Sequence, residues 1–412
     1  MGEQVSRARR AALYVMSRCR HFDAWSAQTV QSAVQKFALD ERDSALCNRL
    51  CRSVLQNAAL CDYVIGKYCS QRPEKLQPQI LDVLRLGAVQ LLMTDRIPAS
   101  AAVNEAVSLA KEINPKAAGL VNAVLRRIAE LCGEMPKVDG EGCEYLSVRY
   151  SHPLWLCEKI AGEYGFDFAE SFFAANNGEA PVTVTVNSLV LGGEPCSKTL
   201  EGSGAIERRP GFAEGHFYVQ DAAAAAAVRA AAPQKGWRVL DGCAAPGGKS
   251  FLAAMLMENT GSILSCDLHE KKLKLIEEGA QRLGIDIIDT VPMDGAKPYE
   301  RLYGSFDLVL ADVPCSGLGV IRKKPEIRYK KQEELSALPE KQLAILTGLS
   351  RCVKDGGVLL YSTCTILREE NEGVTEAFLR EHSEFTKEED RTFWPHVDGT
   401  DGFYYCRMRK NG

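Results

Sequence analysis

The chain has 412 residues, 46% hydrophobic and 25% charged, which are the values of an ordinary globular protein of two or three domains and exclude a disordered or fibrous one. No apolar run approaches the ~20 residues of a membrane span, and the opening "MGEQVSRARR" lacks the apolar core of a secretory signal. The 15 cysteines, an odd number without C-x-x-C spacing, and 6 unclustered histidines argue against a disulfide framework and a metal site, and for a reducing cytoplasm.

The net charge of −4 is uneven: residues 1–130 carry 18 Lys and Arg against 12 Asp and Glu, and the remainder 32 against 42. A basic N-terminal part on an acidic body suggests an anionic partner for the former, although a solvated helical surface would give the same count. Residues 1–131 read as all-helical. "ARRAALYVMSRC", "LCNRLCRSVLQNAAL", "PQILDVLRLGAVQLLM", "AAVNEAVSLAKEI" and "NPKAAGLVNAVLRRIAEL" repeat apolar residues at helical spacing, with Pro98 and Pro115 as punctuation. "GEMPKVDGEG" (133–142) reads as a linker. A small α+β module follows over 143–220, where "PLWLCEKIAGEYG" and "FAESFFAANN" look helical and "PVTVTVNSL" alternates as a strand does. "FYVQDAAAAAAVRAAA" leads into another helix, since its alanines are the best helix formers.

From 221 to the end, "WRVLD", "GSILSCD", "DTVPMD", "FDLVLAD", "GGVLLYST" and "GFYYCRMRK" read as strands separated by helices. That rhythm predicts an α/β domain with a doubly wound, mostly parallel sheet, whose ligands bind beyond the carboxyl ends of its strands. "RVLDGCAAPGGKS" (238–250) places a glycine-rich turn at one such end. As a P-loop it fails by one residue, because Cys243 stands where the first Gly belongs, and Pro246 intrudes where backbone amides should cradle phosphate. As the turn of a Rossmann-type methyltransferase it suits S-adenosylmethionine (SAM). Asp267 would then take the ribose hydroxyls and Asp294 the adenine amino group, continuing a series of acidic strand ends begun by Asp241. Each Asp could equally be a turn former.

Two thiols, Cys315 and Cys364, sit where buried runs stop, in "ADVPCSG" and "YSTCT". A single such cysteine would read as a small core hydrophobe. Two at strand mouths beside a cofactor-like turn suggest covalent catalysis on cytosine. A thiolate adding to C6 makes C5 nucleophilic toward a methyl donor, and a second thiol assists elimination or acts as base. Asp312 could hold the cytosine amino group and N3 edge, with Lys249 balancing Asp312 or a phosphate.

Beyond this chemistry, the chain resembles the bacterial 16S ribosomal RNA cytosine-C5 methyltransferases of the RsmB (Sun/Fmu) type. The matching motifs are "VQD" (219–221), "LDGCAAPGGK" (240–249), "DVPCSGLGVIRKKPEIRY" (312–329), "YSTCTILREENE" (361–372) and "DGFYYCRMRK" (401–410). The first 131 residues resemble the NusB RNA-binding domain in "LDVLRLGAVQLLMTDRIPASAAVNEAVSLAK" and "GLVNAVLRRI". The resemblance implies an RRM-like middle module and Cys364 as nucleophile, with Cys315 aiding product release. It also implies SAM contacts from Cys243, Ala244, Ala245, Pro246, Gly247, Gly248, Lys249, Asp267, Asp294 and Asp312. It implies a 16S rRNA substrate, with a loop cytosine as target, no membrane partner and a monomeric enzyme. Thr185 stands where the family usually has Arg. A P-loop ATPase and a non-catalytic RNA-binding scaffold are the other readings; a mere binder has no need of paired thiols.

Overall fold

Helical spacing persists from Arg7 to Asn177, and the computed structural model, which describes residues 6–21, 26–202 and 204–412, resolves it into nine helices. These are α1 (Arg7–His21), α2 (Ser26–Lys36), α3 (Glu41–Tyr68), α4 (Pro78–Leu92), α5 (Ala99–Ile113), α6 (Ala118–Ala129), α7 (Gly142–Tyr150), α8 (Leu154–Tyr164) and α9 (Phe166–Asn177). The Asp40 carboxylate caps α3 by accepting from the Asp43 amide at 2.7 Å, and Pro78 opens α4, where its missing N–H costs nothing. Leu50, Val54, Leu84, Val89, Val121 and Leu125 fill the core of α1 to α6.

The chain divides into two compact units. One runs to Gly178 and also takes in Ile321–Lys330; the other comprises Glu179–Val320 and Lys331–Gly412. In the first unit, Ile321, Ile327 and Arg328 are buried. Helix α3 kinks at Asn57 (φ −129°, ψ 24°). The two groups an unbroken helix would pair there find other partners: the Gln56 carbonyl accepts from Arg328, and the Leu60 amide donates to Ser151 Oγ at 3.1 Å. Arg328 also donates to Ser151 O and Asn177 Oδ1, each at 3.1 Å, and Tyr329 Oη donates to Leu55 O at 2.9 Å. The ten-residue insert is therefore part of the packing of this unit.

The second unit begins with β1 (Val182–Val186), α10 (Ser188–Leu191), β2 (Ser197–Leu200) and β3 (Phe217–Val219), whose strands form an antiparallel sheet in the order β2-β1-β3. Then come α11 (Ala222–Ala231), β4 (Arg238–Asp241), α12 (Gly248–Leu256), β5 (Ser262–Asp267), α13 (Glu270–Leu283), β6 (Ile288–Pro292) and β7 (Phe306–Asp312). The chain ends with α14 (Gln332–Leu335), α15 (Leu338–Ser350), β8 (Val353–Thr363), α16 (Glu372–Glu381), β9 (Phe385–Phe393), α17 (Pro395–Asp398) and β10 (Phe403–Lys410).

These strands build a sheet ordered β6-β5-β4-β7-β8-β10-β9, parallel from β6 through β8, with β10 antiparallel to both its neighbours. Alternate residues of the central strands enter different cores. Leu308, Leu310, Val358 and Leu360 join one apolar cluster, and Val309, Ala311, Leu359 and Tyr361 the other. A sheet covered on both faces explains why these strands read as unbroken apolar runs. The short segment between Glu384 and Asp398 suggests a trimmed last hairpin, yet strand β9, "FTKEEDRTF", pairs with β10 from Phe385 to Phe393. Only its end residues Phe385 and Phe393 are buried, and its charges protect an exposed sheet edge. Among the described residues no helix is long and apolar enough to cross a membrane.

Candidate active site

The sheet order reverses between β4 and β7: from β4 the chain proceeds outward through β5 and β6, then returns to β7 and β8 on the other side. Such a switch point opens a crevice at the strands' carboxyl ends. The turn after β4 lines it. The Ala244 amide donates to Cys266 O and the Gly247 amide to Ala244 O, both at 2.7 Å, and the Ala245–Pro246 bond is cis. Gly247 has φ +108°, and a Cβ there would come within 2.4 Å of the Phe251 ring, so only glycine fits. Behind the turn, Tyr218 Oη and Gln220 Nε2 donate to Gly248 O at 3.1 and 2.9 Å, and Thr185 Oγ1 donates to Gln220 Oε1 at 2.8 Å. Thr185 is fully buried, so it braces this turn and presents no side chain at a surface.

Asp241 is sealed under the turn. Its Oδ2 accepts from Ser250 Oγ at 2.7 Å, its Oδ1 has no partner among the described residues, and burial pushes its carboxyl up to about 6. Burial likewise pushes the Cys243 thiol up. Asp267, at the end of β5, accepts from the His269 amide through Oδ1 at 2.9 Å, and no hydrogen bond engages its other oxygen among the described residues. Asp294 lies two residues beyond β6, exposed, with its side chain accepting from the Ala296 amide at 2.9 Å. A tight backbone cradle that a Cβ would fill, followed on the next strand by a carboxylate with an uncommitted oxygen, suits a nucleoside with vicinal hydroxyls. These residues fit SAM.

The thiols stand at neighbouring mouths. Strands β7 and β8 pair in parallel with Asp312 opposite Ser362, which puts Cys315 and Cys364 just past two adjacent strand ends. Their sulfurs are 3.2 Å apart. Asp312 accepts from Ser362 Oγ at 2.8 Å and from Lys249 Nζ at 2.6 Å, so one oxygen is held from the end of β8 and the other from the first turn of α12. The loop after Cys315 closes on that of Cys364, with the Gly319 amide donating to Cys364 O at 3.0 Å. A Cβ on Gly319 would lie 1.9 Å from Gly402 O and 2.9 Å from Cys364 O, so glycine is obligatory here too.

The electrostatics distinguish the thiols. Cys315 is held well above the usual thiol range, first by its hydrogen bond to Cys364, then by burial, the Cys364 charge and Glu370. Burial pulls Lys249 down, but the charge and hydrogen bond of Asp312 outweigh it, helped by Asp241 and Cys364, and the ammonium ends above its ordinary value. Cys315 thus keeps its proton.

Lys249, Asp312, Cys315 and Cys364 come together as one cluster. Residues 243–248 line the adjoining turn, and Asp267 and Asp294 follow along the sheet at β5 and beyond β6. Sequence reasoning missed Ser362, which orients Asp312. It also left Tyr218, Gln220, Gln342 and Glu370 without roles, although "VQD" and "YSTCTILREENE" contain two of them.

Comparison with known proteins matches residues 228–409 to the 16S rRNA methyltransferase RsmB/F family, residues 6–130 to the NusB family and residues 152–215 to the ferredoxin-like domain of RsmF/B-like methyltransferases. The probable ribosomal RNA small subunit methyltransferase B of Bacillus subtilis (strain 168) is 36% identical over 97% of this chain and 98% of its own. The ribosomal RNA small subunit methyltransferase B of Erwinia tasmaniensis is 32% identical, covering 93% of this chain and 94% of its own. The crystal structure of PH0851 superposes over 100% of both chains with a TM-score of 0.80 at 26% identity.

Proposed function

The chain belongs to the RsmB family of SAM-dependent ribosomal RNA small subunit methyltransferases, and on that premise we propose that it methylates C5 of a cytosine in 16S rRNA, with Cys364 as the nucleophile. The observation that carries this reading is the pair of thiols 3.2 Å apart beside the Lys249–Asp312 ion pair. A family member that methylated ribose or an exocyclic amine would need neither thiol. SAM, when bound, supplies an electrophilic methyl group. The turn Cys243–Lys249, Asp267, Asp294 and Asp312 would hold it.

The protein's own residues do the rest. Cys364 adds to C6, and the 5,6 double-bond pair moves to C5, which becomes nucleophilic. Asp312, fixed by Ser362 and Lys249, holds the amino and N3 edge of the base and so orients the ring. Once C5 is methylated, solvent takes its proton, the C5–H pair re-forms the 5,6 double bond, and the C6–sulfur pair returns to Cys364 as it leaves as thiolate. Cys315, hydrogen-bonded to that sulfur, is placed to assist its departure by steadying the charge that develops there. The base must be unstacked to reach the strand mouths, which favours a cytosine in a single-stranded loop. The basic segment 1–130 supplies salt-sensitive grip on the RNA backbone. A pair of free thiols this close calls for the reducing cytoplasm, where the enzyme would act as a monomer.

The test is to map 5-methylcytosine in 16S rRNA from cells with and without this gene. Loss of one site, restored by wild type but not by Cys364→Ala, is the expected result; an unchanged map would remove the reading. For the cofactor, Asp267→Ala should weaken SAM binding at least tenfold, about 1.4 kcal/mol. Isothermal titration checks this, with circular dichroism to show that the fold persists. Unaltered affinity would take Asp267 out of the site.

A further inference from the structure

Among the buried groups that this mechanism leaves unused, Glu370 is 1% exposed and has no cationic partner among the described residues. A buried carboxylate is tolerated only when hydrogen bonds satisfy it. Here two of its three bonds lead to residues that flank a thiol. Glu370 Oε2 accepts at 2.8 Å from the backbone amide of Ser316, the residue after Cys315. Glu370 Oε1 accepts at 3.3 Å from Thr365 Oγ1, on the residue after Cys364.

Gln342, on α15, completes the clamp: its Nε2 donates to Glu370 Oε2 at 2.8 Å and to Pro314 O, on the residue before Cys315, at 3.0 Å. Ser316 Oγ and Thr365 Oγ1 meet at 2.7 Å. The next residue, Asn371, steadies the other side of Cys364. It accepts from Thr363 Oγ1 at 2.6 Å and donates to Thr365 O at 3.1 Å. The Tyr361 hydroxyl in turn donates to Glu370 O at 2.6 Å.

We propose that Glu370 is a positioning residue: its buried carboxylate ties the loop of Cys315 to the loop of Cys364 and sets the distance between the two thiols. The proposal rests on the two-thiol reading above and deepens it. A neutral amide could make the same three bonds, its oxygen accepting from Ser316 and Gln342 and its NH2 donating to Thr365. A carboxylate adds negative charge beside Cys315, which opposes loss of that thiol's proton. The clamp therefore sets both the spacing of the pair and which member keeps its proton.

The test uses the full chain and two readouts, one of which needs no turnover. The first is alkylation of Cys315 and Cys364 by iodoacetamide against pH, followed peptide by peptide. The second is single-turnover methyl transfer with SAM affinity measured alongside. In Glu370→Ala the loops part, so the alkylation midpoint of Cys364 should rise by about one unit as its hydrogen-bond donor moves away. Transfer should fall on the order of a hundredfold, the effect of a misplaced reacting group. SAM affinity should stay within about twofold, since no clamp residue belongs to the cofactor turn.

Glu370→Gln should restore transfer to near wild type, while Cys315 alkylates at lower pH because the charge is gone. The proposal is overturned if Glu370→Ala keeps the wild-type Cys364 profile and transfer rate, or if Glu370→Gln is as impaired as Glu370→Ala. Should Glu370→Ala not fold, Gln342→Met, which frees Pro314 O at nearly constant volume, must shift the Cys364 profile in the same direction; an unmoved profile overturns the proposal. If the nucleophile assignment itself were wrong, an RNA adduct would map to Cys315, an outcome independent of the alkylation profiles.

Discussion

Cys364→Ala should reduce methyl transfer to background and abolish every covalent protein–RNA adduct, while Cys315→Ala should still attack and methylate but release its product slowly. The two variants differ in kind because the proposed roles differ: Cys315, 3.2 Å from Cys364, is held well above the usual thiol range, and only an ionised sulfur can attack C6. Removing Cys364 removes the sulfur proposed to attack that atom. Removing Cys315 leaves the attacking sulfur but takes away the neighbour that assists its departure. RNA carrying 5-fluorocytosine should trap the wild-type protein, since fluorine at C5 cannot depart as a proton does. Denaturing electrophoresis with labelled RNA, then peptide mapping, reads the outcome. An adduct that persists in Cys364→Ala would make Cys315 the nucleophile.

Arg328→Ala should be the most damaging substitution remote from the thiols. The guanidinium is buried and, although burial lowers it to about 10, it is charged at neutral pH. Its removal strands Gln56 O at the kink of α3, Ser151 O and Asn177 Oδ1. Each orphaned buried acceptor costs about 1–3 kcal/mol, so a loss of about 3–5 kcal/mol is expected after partial relaxation. For a unit of this size that lowers the melting midpoint by on the order of 10 °C. Lysine should not rescue it, because one ammonium cannot reproduce the planar fork. Calorimetry measures the shift, and hydrogen exchange should show lost protection in α3 and α7. Wild-type protection there would refute the account.

The cluster of Lys249, Asp312 and the two thiols was legible because buried parallel strands write themselves as apolar runs, and whatever follows such a run stands at a strand mouth. Cys315, Cys364, Asp312 and Lys249 were found in this way. Glu370 and Gln342 were not, since their partners lie 54 and 28 residues away and nothing local marks a carboxylate that will be buried. The full extent of strand β9 escaped because an edge strand with solvated charges has no apolar alternation to read. The Asn57 kink escaped because α3 keeps its helical periodicity across it. The segment Ile321–Lys330 looked like the tail of a cysteine motif, yet it packs with the helices of the first unit. Periodicity reports that a residue will be buried and is silent on which core receives it.

That insert bears on how such a chain can be cut or recombined. The sequence crosses between its two units three times, after Gly178, after Val320 and after Lys330. A gene fragment ending at 178 would encode a helical body missing ten residues of its own, Arg328 among them. The complementary fragment would carry those ten residues, directly after the Cys315 loop, with their buried faces turned to water. Neither half is an exchangeable cassette. A lineage could trade one helical unit for another only if the newcomer also offered a seat for Ile321, Ile327 and Arg328, so drift on α3 and on this short segment must proceed in step.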